Sequence, residues 1–194
     1  MAAKPRILAF AGSARKDSLN KKLVRNAAAA ATRAGADVTL VDLRDFPLPV
    51  YDGDLEEASG LPEHAKRLKK LFLEHDALLI SSPEYNSSIP GPLKNVLDWV
   101  SREETDDEKP LACYRGKLCT LVSASPGALG GLRALVALRM MLGNIGVTVL
   151  PDQLAVGKAH EAFTDDGVLK DAKQLATLER VVGALVTDTA KLRG

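Results

Sequence analysis

Short apolar runs alternate with amphipathic stretches along the whole chain, and no other feature limits its fold as severely. The runs are RILAFA at 6–11, DVTLV at 37–41, DALLIS at 76–81, KLCTLVS at 117–123 and GVTVL at 146–150. Helical patterns are predicted between and after them, at about 18–34, 61–74, 92–102, 131–143 and 170–190. Strand and helix in strict succession is how parallel strands are joined, because a parallel connection must cross back over the sheet. Several of the runs carry no polar alternation, so their strands need cover on both faces. The expectation is an α/β fold with an open, doubly wound sheet of five strands in three layers. A chain of 194 residues can build this as a single domain, 1–194, with a sizeable core.

Doubly wound sheets bind ligands beyond the carboxyl ends of their strands. The loops that would lie there are rich in Gly, Pro, Ser and Asn: 12–18 after the first strand, 82–91 after the third and 124–131 after the fourth. The segment 44–60 reads as a longer polar excursion and 103–110, EETDDEKP, as an exposed acidic loop.

The first loop, GSARKDSLN at 12–20, has one glycine and neither G-x-G-x-x-G nor G-x-x-x-x-G-K-[ST]. It therefore lacks the glycine pattern of a dinucleotide turn and of a nucleotide-hydrolysing loop. It offers side chains instead: the hydroxyls of Ser13 and Ser18, the Asn20 amide and the Arg15 guanidinium, with the amides that open the next helix. Together these suit a terminal phosphate. A bland alternative has Ser18 as a helix N-cap, Asn20 on the helix surface and Arg15 in water. The second loop, PEYNSSIPGP at 83–92, has a rigid proline–glycine turn and backbone amides that suit the edge of a flat heteroaromatic ring. In the third, SASPGALGG at 123–131, the glycines permit either close approach to another group or strained turns. Arg133 and Arg139, with Leu135, Leu138 and Leu142, give the following helix an apolar face for the domain or a subunit boundary. Trp99 is read as packing.

Other chemistries find less support. The 26 basic and 25 acidic residues give a net charge of +1, spread along the chain, so no nucleic-acid partner is expected. No stretch approaches the roughly 18 apolar residues of a membrane span, and no signal peptide is apparent, so a cytoplasmic location is expected. His64, His75 and His160 have no metal-ligand spacing, Cys113 and Cys119 form no CxxC pair, and Ser125 lacks a G-x-S-x-G elbow. No metal site is expected. Arg44 and Lys158 are possible cations for a nucleotide phosphate, with surface roles the plainer reading.

With G-S-x-R-x-x-S-x-N at 12–20 and P-E-Y-N-x-S-x-P-G at 83–91, the chain resembles the NAD(P)H-dependent FMN reductases of the flavodoxin-like fold, including soluble quinone and chromate reductases. The resemblance covers about residues 5–187 and implies strand order 2-1-3-4-5. It implies that Ser13, Arg15, Ser18 and Asn20, with the Leu19 amide, hold the FMN phosphate. Pro83, Glu84, Tyr85 and Asn86 would line the ribityl chain and ring, mostly through backbone groups, with Ser123, Ser125 and Gly127 on the other side. It further implies NADPH or NADH as co-substrate and a homodimer or homotetramer. Quinones, or azo, nitro, chromate, ferric or free-flavin acceptors, would take the electrons. The flavin N5 would carry the chemistry, leaving no catalytic side chain. An FMN-binding electron carrier or regulator without fast NAD(P)H turnover is the alternative, and the near-neutral charge favours the enzyme.

Overall fold

A computed structural model describes residues 4–193; residues 1–3 and 194, which the single-domain expectation includes, lie outside the described residues. Along the chain run β1 (Arg6–Ala11), α1 (Leu19–Arg33), β2 (Asp37–Val41), α2 (Gly53–Ser59), α3 (Glu63–Glu74) and β3 (Ala77–Ser81). Then follow α4 (Gly91–Ser101), β4 (Leu118–Ala124), α5 (Leu132–Asn144), β5 (Thr148–Val149), β6 (Leu154–Val156) and α6 (Ala172–Arg193). The strands pair in parallel in the order β2-β1-β3-β4-β5, the flavodoxin-like order.

Side-chain alternation along the central strands explains the three layers. Ile7, Ala9 and Ala11 of β1, with Ala77 and Leu79 of β3, point into a core shared with α1 and α6. Leu8 and Phe10, with Leu78 and Ile80, point the other way, into a core shared with α3, α4 and α5. Both sets are buried, so these strands read as unbroken apolar runs. On α1 the residues facing the sheet include Ala27, Ala28, Ala30 and Ala31, whose small size lets the helix lie close.

One part of the expected layout is corrected. The fifth position in the sheet holds two short strands, not one: β5 pairs with Leu118 and Cys119, and β6 with Val122 to Ala124, so the sheet has six strands. Between them Pro151 has no N–H to give a ladder. The Arg139 guanidinium donates to the carbonyls of Val149 (3.1 Å) and Leu150 (2.7 Å), filling the break. Leu135, Leu138 and Leu142 are fully buried within the domain, the first of the two placements open to their face.

The excursion 44–60 contains α2, capped by the Asp52 carboxylate, which accepts from the Asp54 amide at 2.9 Å. A short 3-10 turn at Leu43–Asp45 precedes it. Trp99 is wholly buried and donates to the Pro49 carbonyl at 2.9 Å, in keeping with a packing role. The acidic loop is docked as well as exposed. Glu108 pairs at 2.6 Å with Lys69, a lysine buried on α3 that also donates to the Arg102 carbonyl.

Candidate functional site

At the carboxyl end of the sheet, the loops after β1, β3 and β4 converge on a cavity of about 110 Å³. Ser13, Arg15, Ser18, Leu19 and Asn20 line it from the first loop, Pro83, Glu84 and Tyr85 from the second, and Ala124, Ser125 and Pro126 from the third. Nine of the twelve expected site residues therefore share one cavity. Ala124 and Pro126 add to its wall; the sequence signalled neither, since they present only backbone and apolar carbon.

The donors at the start of α1 are uncommitted. Ser18 occupies the N-cap position, yet its side chain makes no capping hydrogen bond. The first helical hydrogen bond recorded at this end is Lys22 N–H to the Ser18 carbonyl, at 3.1 Å. The amides of Leu19, Asn20 and Lys21 precede it and have no intrahelical acceptor. The Arg15 side chain is exposed, and among the described residues it makes no ion pair. Lys21, by contrast, is tied to Asp42 at 2.7 Å and buried. Two hydroxyls, free helix amides and an unpaired guanidinium thus face one small cavity, a donor set that fits a phosphate dianion.

The Asn20 side chain is hydrogen-bonded within the protein. Its Nδ2 donates to the Ala124 carbonyl at 2.8 Å, and its Oδ1 accepts from the Ala124 amide at 3.0 Å and the Ser81 hydroxyl at 2.9 Å. The amide ties the start of α1 to β3 and β4. Ser123 is wholly buried and donates to the Ser82 carbonyl at 2.7 Å, behind the cavity wall. Gly127 is exposed beyond Ser125, whose hydroxyl accepts from its amide at 3.3 Å.

The second loop ends its excursion in a two-residue hairpin. Tyr85 and Ser88 exchange backbone hydrogen bonds of 3.1 and 3.0 Å, while Asn86 (φ 51°) and Ser87 (φ 65°) both occupy the left-handed region. This is the geometry of a type I′ turn, in which asparagine is favoured. Asn86 stands at the tip, exposed and outside the cavity lining. Glu84 turns away to the start of α5, where its carboxylate accepts from the amides of Arg133 (3.1 Å) and Ala134 (3.3 Å) and pairs with the Arg133 guanidinium. Burial works to raise its pKa, but the hydrogen bond from Arg133, the amides and the neighbouring positive charge hold it below the usual glutamate value. No local pattern marks this clamp, because its partners are 49 residues apart.

Of the third-loop glycines, Gly130 and Gly131 are needed for contact with the chain itself. A Cβ on Gly130 would sit 2.6–2.7 Å from the backbone of Ala155, Val156 and Gly157, and Gly130 also has φ +63°. Neither Lys158 nor any histidine lines the cavity; Arg44 lines a separate, larger one. Among the described residues, no group of three or more His, Cys, Asp or Glu side chains is placed to hold a metal ion. Cys113 and Cys119 are buried, and desolvation pushes the first thiol up to about 11 and the second higher still.

A family model described as NADPH-dependent FMN reductase matches residues 5–161. An NAD(P)H-dependent FMN reductase of Pseudomonas aeruginosa is 33% identical over 190 residues, covering 97% of this chain and 97% of the relative. A quinone reductase of Escherichia coli K12 is 34% identical over 185 residues, 95% of this chain and 94% of the relative. The solved structure of FerB, a flavoenzyme NAD(P)H:(acceptor) oxidoreductase from Paracoccus denitrificans, superposes with a TM-score of 0.79 at 32% identity, covering 99% of this chain and all of that one.

Proposed function

Because this chain belongs to the NADPH-dependent FMN reductase family, we propose that it carries reducing equivalents from NAD(P)H through FMN to quinones or chemically similar acceptors. The observation that carries this reading is the cluster of free donors at the start of α1, facing one cavity at the carboxyl end of the sheet.

Ser13, Ser18 and Arg15 would hold the FMN phosphate, with the backbone N–H groups of Leu19 and Asn20. Pro83, Tyr85 and Asn86 would border the ribityl chain and ring through backbone groups, opposite Ser125 and Gly127. Glu84 and Ser123 would act behind them as supports. When bound, FMN supplies the hydride-accepting and hydride-donating chemistry. The protein's part is to neutralise the phosphate, fix the ring between two loops and leave one face open for successive partners. No side-chain nucleophile or metal is required. Quinone is the acceptor best supported, by the names of the relatives; azo, nitro, chromate, ferric and free-flavin acceptors share the same electron-accepting chemistry. The working form is a single-domain chain in a homodimer or homotetramer located in the cytoplasm. No helix among the described residues is long and apolar enough to cross a membrane.

The test is an anaerobic titration of the purified, FMN-loaded protein with NADPH and NADH. Loss of visible flavin absorption within seconds, and its return on addition of a benzoquinone, is the expected result. FMN binding with only sluggish bleaching by both nucleotides would favour an electron carrier or regulator, and failure to bind FMN would refute the phosphate cradle.

A further inference from the structure

Beside the phosphate cavity lies a second and larger one, of about 660 Å³, between the loop after β1, the strap 43–50 and the start of α4. The two share a wall one residue thick. Ser13 and Arg15 face the first cavity, and Ala14 between them faces the second.

The second cavity is built to keep its shape. Its floor is apolar, with Leu43, Phe46, Leu48 and Val96. The strap over it contains Pro47 and Pro49, whose rings restrict the backbone. Asn95 pins that strap to α4: its Nδ2 donates to the Pro49 carbonyl and its Oδ1 accepts from the Tyr51 amide, each at 2.8 Å. Trp99 adds its own hydrogen bond to the Pro49 carbonyl. Arg44 is the one charged residue in the lining. Its backbone amide donates to Asp42 Oδ1, and among the described residues its guanidinium makes no ion pair or hydrogen bond; Asp42, paired with Lys21, feels its charge from beyond ion-pair distance. A preformed apolar slot with one free guanidinium and no carboxylate in its lining suits a flat ring that carries an anion.

We propose that this cavity binds the adenosine 2′-phosphate end of NADPH, with Arg44 as the residue that recognises the phosphate. The proposal rests on reading the first cavity as the flavin site. The nicotinamide must lie on the flavin, beside the loops after β3 and β4, and the far end of the dinucleotide must then be placed elsewhere. Of the segments that follow those strands, only the start of α4, at Gly91 and Pro92, reaches the cavity holding Arg44. Its occupant is therefore adjacent to the flavin site without lying on the ring, as the non-reacting end of a dinucleotide has to be. Lys158, the other cation the sequence offered for this role, is exposed on the far side of the sheet's carboxyl edge, after β6, and lines neither cavity.

Calorimetric titration of the FMN-loaded protein with adenosine 2′,5′-bisphosphate and with 5′-AMP tests this without turnover. The expected result is that the bisphosphate binds roughly 10-fold or more tightly than AMP, as a charge-assisted contact implies. Arg44→Ala and Arg44→Glu should abolish that preference and leave FMN affinity unchanged, and the ratio of kcat/KM for NADPH over NADH should fall by a similar factor. Equal binding of the two nucleotides by the unaltered protein would overturn the proposal. So would a preference that survives Arg44→Ala, release of FMN by the bisphosphate, or competition from an aromatic acceptor that occupies the slot instead. A protein that fails to bleach with either nucleotide yet keeps the Arg44-dependent preference would refute the reductase reading and not this site.

Discussion

Arg15 and Asn20 stand five residues apart and look alike in the motif, yet their surroundings separate them. Arg15 is exposed and unpaired, whereas Asn20 is buried with three hydrogen bonds across the loop-bearing strands. Arg15→Ala should cost FMN binding roughly 1.5–3 kcal/mol by removing a charge-assisted contact, with no change in the melting temperature of the FMN-free protein. Asn20→Ala should lower that melting temperature as well, by an amount equivalent to about 2–4 kcal/mol, because the Ala124 amide and carbonyl and the Ser81 hydroxyl all lose a partner. Calorimetric unfolding with and without FMN reads both effects, since a ligand that binds only the folded state raises its stability. Equal apo stability of the two variants would refute the division of labour. The Asn86 side chain is better probed by Asn86→Gly than by a bulky replacement, since glycine keeps the positive φ of the hairpin. Residue type and spacing made the cradle legible; they could not tell a ligand contact from a hydrogen bond back into the protein.

Among the elements, the join between the second loop and α5 has the most direct consequence for the site. Glu84 closes it by capping the helix and pairing with Arg133, with the carboxylate side chain only 8% exposed. Burial opposes ionisation, the Arg133 hydrogen bond and the helix amides outweigh it, and the folded pKa lies below the unfolded one. The stabilisation is therefore fully present above the ordinary glutamate pKa and is lost as pH falls through the lower folded value. The Glu84 contribution to FMN affinity should hold through neutral and mildly acidic solution and be lost only below the usual glutamate range, after the separate weakening that protonation of the phosphate dianion brings near its second pKa of about 6. Glu84→Gln should weaken FMN binding about 3- to 30-fold at pH 7 and remove this acid dependence, as fluorescence titration across pH would show. An unaltered affinity in Glu84→Gln would mean that the loop holds its place without the clamp. Helix and strand positions were readable from periodicity because local pattern sets them. The split into β5 and β6 was not, since it depends on Arg139 reaching across from α5 to the free carbonyls around Pro151.

For the whole molecule, the exposed face of α5 bears on assembly. Leu132, Val136 and Met140 recur every four residues, and Val136 and Met140 are 62% and 74% exposed. Such a stripe supports the proposed homo-oligomer, and it is distinct from the buried leucine face of the same helix. Replacing Val136 and Met140 together by glutamate should convert the oligomer to monomer in sedimentation velocity while leaving the fold, read by circular dichroism, unchanged. An oligomer of unaltered mass would place its interface elsewhere. The sequence by itself determined the alternation of parallel strands and helices, the two opposed cores and the motifs that mark the cofactor loops, because each follows from short-range periodicity or from residue type. Only the tertiary structure decided that Asn20, Ser123 and Glu84 brace the site, that Gly130 meets the chain's own backbone, and that Arg44 makes no ion pair beside an apolar slot. Those outcomes depend on which distant groups fold back to satisfy a buried donor, acceptor or charge, and no local pattern in the chain records that pairing.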